Sequence, residues 1–173
     1  MTPVLPATPL LTTFLSRAVL AAALLLGACG SAPSRAPAYQ VDRECQSAVP
    51  FASAYERVRA RNEPRVEEVR VQLGAAASAD ATRASLRRLA AVLSADASDL
   101  ATLPAPPGPT EQAALSALIR ADEHMARESL ALGDDPSGRF ADHAHAWQLA
   151  AGARQQAADA LSLRVALIEA KCS

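Results

Sequence analysis

Phe140, Ala144, Trp147, Ala151, Arg154, Ala158, Leu161, Val165, Ile168 and Cys172 recur at alternating spacings of four and three. On a helix these positions line up as one stripe, whereas on a strand they would scatter over both faces. A helix this long cannot cover its own apolar side, so the rest of the chain has to supply partners for it. Only Arg154 interrupts the stripe, and Cys172 closes it on the inward side. Asp134 or Asp135 is placed to cap its start, and Pro136 suits a first helical turn.

The partners read from the same periodicity. After the break Pro104-Ala105-Pro106-Pro107-Gly108-Pro109, a helix from Thr110 to Gly133 carries Leu115, Leu118, Asp122, Met125, Ser129 and Leu132 inward. Upstream, Leu86, Leu89, Ala90, Leu93, Ala97, Leu100 and Leu103 form a third stripe, closed by Pro104. Val66, Val69, Leu73 and Ala76 make a shorter run after Pro64, and Phe51, Tyr55 and Val58 a short helix entered at Pro50. Continuing the phase from Val66 would bury Arg83 and Arg87, so it must break between Gly74 and Asp80. Aromatic residues are 3% of the chain, too few for the short aromatic and β-branched runs of a sandwich or barrel. The expectation is all-α: an antiparallel bundle of about four helices with a thin, alanine-rich core. Heptads this regular also suit a coiled-coil dimer, but the proline and glycine breaks favour a chain that packs on itself.

The N-terminus reads differently. Arg17 precedes the apolar run Ala18 to Ala28, which has the length of a signal-peptide core and is too short to span a bilayer. The run ends in Leu26-Gly27-Ala28-Cys29. These residues resemble the bacterial lipobox, which implies cleavage before Cys29 and transfer of diacylglycerol to its thiol. Gly30 to Gln40 is small and proline-rich, as a flexible tether would be. The expected organisation is a signal peptide over 1–28, a lipidated cysteine and tether over 29–40, and a helical domain over 41–173. More than one acyl chain on a cysteine gives stable membrane anchoring.

With Cys29 assigned to lipid, Cys45 and Cys172 remain, at opposite ends of the domain. Export places them in an oxidising compartment, where a structural disulfide is expected. A redox pair or a metal site is the alternative, but neither cysteine has a CxxC partner or a histidine nearby.

Charge and motifs narrow the function. Lys+Arg 17 against Asp+Glu 18 gives a net charge of −1, and no basic patch interleaves with aromatics, so nucleic acid is not an expected partner. A ferritin-like metal site would need Glu-x-x-His on two helices. Ala121 stands three residues before His124, Phe140 before His143, and Asp142 before His145. His124 and His145 fall away from the apolar stripes and His143 falls at an edge, so solvated histidines are expected rather than ligands, and no metal or cofactor. No nucleophile elbow, phosphate loop or dinucleotide fingerprint occurs. Asp122 and Arg154, by contrast, both fall on inward stripes. On neighbouring helices they would pair in the core, either fixing register or lining a small polar pocket.

Cys45, Leu103 to Pro107, Ala131 to Asp134 and Cys172 are arranged in a layout that resembles small, alanine-rich helical lipoproteins of high-GC actinobacteria. That resemblance implies fold and location and no activity. The expected function is a non-enzymatic envelope lipoprotein, held outside the cytoplasm on a cell or outer membrane, acting as a structural or interaction module for an envelope protein. The alternative is a bundle that binds a small ligand or metal through Asp122, Arg154 and His143.

Overall fold

A computed structural model describes residues 38–135 and 140–173. The expected signal segment, Cys29 and most of the expected tether lie outside the described residues. Four helices are present among the described residues: α1 (Ala38–Gly74), α2 (Ala79–Ala101), α3 (Pro109–Asp134) and α4 (Phe140–Cys172). No strand occurs among the described residues. Each helix packs on the next, and α1 also packs on α4, closing a ring in which diagonal backbones stay apart. Short links between consecutive helices make this an antiparallel four-helix bundle.

The largest departure from expectation is α1. It begins at Ala38, inside the stretch expected as tether, and runs unbroken through both Pro50 and Pro64. Its inward positions explain why. Ala48, Phe51, Tyr55, Val58, Asn62, Val66, Val69 and Leu73 step by three and four with no change of phase across Pro64. Each proline removes one helical hydrogen bond, leaving the Gln46 and Ala60 carbonyls without their usual donors. Pro50, Pro64, Gln46 and Ala60 are all exposed, so water can reach those carbonyls, and burial of the opposite face outweighs local propensity. The phase breaks at residues 75–78, within the span from Gly74 to Asp80 where it was expected. There Ser78 caps α2 by accepting the Ala81 amide at 3.1 Å.

Local signals set the other boundaries. Pro109 occupies the first turn of α3, behind Gly108. Asp134 is the last residue of α3 and Asp135 its C-cap, so neither opens α4 as expected; residues 136–139 lie outside the described residues. Gly133 lies where α3 crosses α2. A Cβ there would sit 3.3 Å from the Leu86 Cβ, so the small residue permits the close approach.

The core has two apolar clusters. One joins Phe51, Tyr55, Leu100, Leu115, Leu161 and Val165 near the chain ends. The other joins Val69, Leu89, Leu93, Met125 and Ala150 near the turn linking α1 to α2. Cys45 and Cys172 are bonded, with Cα atoms 5.5 Å apart across a sequence separation of 127. Closing a loop of that length restricts the unfolded chain by about 5 kcal/mol in the chain-entropy view.

Replacing either exposed proline of α1 by alanine restores a helical donor. Pro50→Ala and Pro64→Ala should each stabilise the bundle by about 1–2 kcal/mol, after allowing for the freer unfolded chain. Urea denaturation measures this, and a lower midpoint in both variants would mean the rings themselves hold the helix in place.

Candidate functional site

Between the two apolar clusters every helix contributes one polar residue at the same level. On α1 Asn62 follows Val58 by one turn; on α2 Asp96 lies between Leu93 and Leu100. On α3 Asp122 lies between Leu118 and Met125, and on α4 Arg154 lies between Ala150 and Ala158. Helical periodicity therefore aims all four into the ring. Asn62 is 3%, Asp96 7% and Asp122 0% exposed, and the Arg154 side chain is 18% exposed.

Arg154 is the hub. Its Nε donates to Asp122 Oδ1 at 2.5 Å and its Nη2 to Asp96 Oδ2 at 3.1 Å. It thereby ties α4 to its neighbour α3 and to α2 across the ring. The other Asp96 oxygen accepts from Asn62 Nδ2 at 2.8 Å, bringing in α1. The same Asn62 nitrogen donates to Asp99 Oδ2 at 3.0 Å, and Arg61 Nη2 reaches that oxygen at 2.7 Å. A continuous polar chain thus runs from the surface of α1 and α2 to the centre of the bundle. The bonds from Asn62 and the Arg61 charge hold the Asp99 carboxyl below its ordinary range.

Charge does not balance in this layer, which sets two carboxylates against one guanidinium. Asp122 carries the consequence. Burial pushes its carboxyl up to about 7, with the neighbouring Asp96 adding to the rise and Arg154 opposing it. Asp122 Oδ2 is buried without a hydrogen-bond partner. Protonation of Asp122 would leave one carboxylate against the Arg154 guanidinium and so balance the charge of the layer.

A pocket of about 110 Å³ opens onto this layer between α1 and α4, with Tyr55, Arg59, Asp96, Arg154, Asp159 and Ser162 in its lining. The Tyr55 and Ser162 hydroxyls share a hydrogen bond of 2.9 Å, and burial raises the Tyr55 phenol above its ordinary value. Ser129 on α3 is fully buried. It donates to the Met125 carbonyl and accepts from Trp147 Nε1 at 3.0 Å, so it anchors the single tryptophan.

The histidines stand elsewhere. The His124 side chain is 50% exposed and 3.7 Å from Glu128, and that of His143 is 41% exposed and 3.9 Å from Asp135. His145 is exposed. The structure does not bring His143 to Asp122 and Arg154. No group of three or more metal-ligating side chains occurs among the described residues.

Sequence reasoning placed Asp122 and Arg154 and missed Asp96 and Asn62. Asp96 stands three residues after Leu93 and four before Leu100, a position its helix plainly turns inward. Asn62 stands four residues from both Val58 and Val66, and it is hidden because the apolar positions before and after Pro64 read as two separate runs.

The raised Asp122 carboxyl makes the folded state bind a proton that the unfolded chain releases near pH 4. Stability should therefore be greatest at and below about pH 4 as far as this group is concerned, and fall as pH rises through about 7. The full swing is on the order of a few kcal/mol. Thermal melts should show a midpoint that falls from about pH 5 to above about pH 7 and then levels off, and Asp122→Asn should flatten it; a wild-type midpoint that climbs over that range excludes a raised Asp122. Arg154→Leu should cost about 3–5 kcal/mol because it strands two buried carboxylates. Adding Asp96→Leu and Asp122→Leu should recover most of that loss in the same melts. Comparison with family models, curated proteins and solved structures yields no match to this chain.

Proposed function

We propose that this chain is an exported bacterial lipoprotein, cleaved before Cys29 and acylated there, whose bundle serves the cell envelope as a non-enzymatic structural or interaction module. The observation that carries this reading is the Cys45–Cys172 bond, which belongs to an oxidising compartment. The Leu26-Gly27-Ala28-Cys29 segment supplies the address and the acceptor thiol. No helix among the described residues is long and apolar enough to cross a membrane, so attachment in this reading falls to the lipid. The buried polar groups bond mainly to one another across helices, which supports a role in holding the bundle rather than in turning over a substrate.

In this reading the chain from Cys29 to Ala38 can reach no more than about 30 Å, which bounds how far the start of α1 can stand from the acylated residue.

Labelling with a palmitate analogue, combined with intact mass, tests the reading. The mature protein should begin at Cys29, carry acyl chains there and lack two hydrogens at Cys45 and Cys172. Cys29→Ser should lose both the label and the membrane fraction. An unlabelled wild-type protein that partitions with the soluble fraction overturns the assignment.

A further inference from the structure

The last helix has two apolar sides, and the bundle covers only one of them. Leu149, Ala153, Gln156, Ala160, Leu163, Leu167 and Ala170 repeat at spacings of four and three, and every one is exposed. Leu149 is 62%, Leu163 61% and Leu167 55% exposed, the largest values for leucine among the described residues. At 100° per residue this second stripe lies roughly 160° around α4 from the first. A helix laid on it would stand clear of the bundle core.

We propose that this outer stripe of α4 is a self-association surface, on which a second copy of the chain lays its own α4 in parallel and in register. The heptad spacing fits knobs-into-holes packing, with Ala153, Ala160 and Leu167 at one set of core positions and Leu149, Gln156, Leu163 and Ala170 at the other. The alanines permit close approach of the two backbones. Gln156 is the one polar residue in the stripe. In a parallel pair the two Gln156 amides meet across the axis and bond to each other, which fixes orientation and register.

The flanks carry the charge argument. In a parallel heptad pair, the residue before one core position faces, on the other copy, the residue five further on. For this stripe that relation sets Asp159 of each copy against Arg164 of the other. Arg164 is exposed and forms no hydrogen bond or ion pair among the described residues. Asp159 is exposed and accepts only from Gln155, at 2.9 Å on the same helix. Two symmetric interchain pairs therefore become available without breaking an ion pair of the monomer.

Parallel alignment rests on the lipoprotein reading, because two copies anchored in one leaflet point the same way. The anchor also addresses affinity. Three leucines and three alanines per copy make an interface at or below the small end of stable complexes, and confinement to a membrane raises the effective concentration of one copy around another.

The test uses the full chain in its membrane. Gln156→Cys, treated with a short bifunctional thiol reagent, should give a covalent dimer, and Ser98→Cys on the outside of α2 should not. Arg164→Asp should lower the dimer yield at least fivefold, and adding Asp159→Arg should restore it. Palmitate labelling of the same samples keeps the two readings separate. Intact labelling with no Gln156→Cys dimer overturns the interface and leaves the anchor standing. Should labelling fail, sedimentation of the purified chain at several hundred micromolar decides the matter. A dimer that Leu163→Glu abolishes upholds the surface, and a monomer throughout overturns it.

Discussion

Arg154 reaches two aspartates on two different helices, and most of the architecture follows from that contact. A core made largely of alanine and leucine is tolerant of sliding, because one small side chain packs much like the next. Four polar groups at one level remove that tolerance. Shifting any helix by a turn would put a charge against hydrocarbon and leave its partners bare, at a cost of several kcal/mol. The layer need not add net stability to do this. Its contribution is to make one alignment of the helices far better than the others.

The apolar clusters on either side then have a defined depth. Below the layer, Phe51, Tyr55 and Leu161 fill the space between α1 and α4. Above it, packing relies on Leu89, Leu93 and Met125, with alanines letting α2 and α3 draw close. The disulfide supports the lower cluster at the margin, where the first turns of α1 and the last of α4 would otherwise fray. Lys171 pairs with Glu44 beside it, an exposed ion pair of small worth next to the covalent bond.

Much of this was legible in the amino-acid order. The inward faces of α2, α3 and α4 followed from periodicity, since most buried positions are apolar residues spaced by three or four from the next. The pairing of Asp122 with Arg154 followed from the same rule applied to residues that violate it. What escaped was α1. Proline is a strong local signal against a helix, and two of them divided one long element into fragments. The information that overrides them is tertiary, because it lies in the faces of α2 and α4 that need a continuous partner. Asp96 escaped for a different reason: its spacing from Leu93 and Leu100 turns it inward, but Ala97 beside it continues the same stripe and reads in its place. The raised Asp122 carboxyl is likewise not a property of one position, as it arises from burial and from the charges assembled around it in the layer.

The Cys45–Cys172 bond also determines how the domain would bear load. A pull applied ahead of Ala38 enters α1, and without a crosslink it would peel that helix away from α4 one turn at a time. With the crosslink in place, tension passes within the first turns into the far end of the chain. The two outer helices are then drawn together, and unravelling by sequential peeling is closed off. Tension between the two ends would then bypass the residues from Cys45 to Cys172, leaving the polar layer and both apolar clusters unloaded. A domain of modest core thickness thereby acquires a mechanical resistance that its equilibrium stability alone would not suggest.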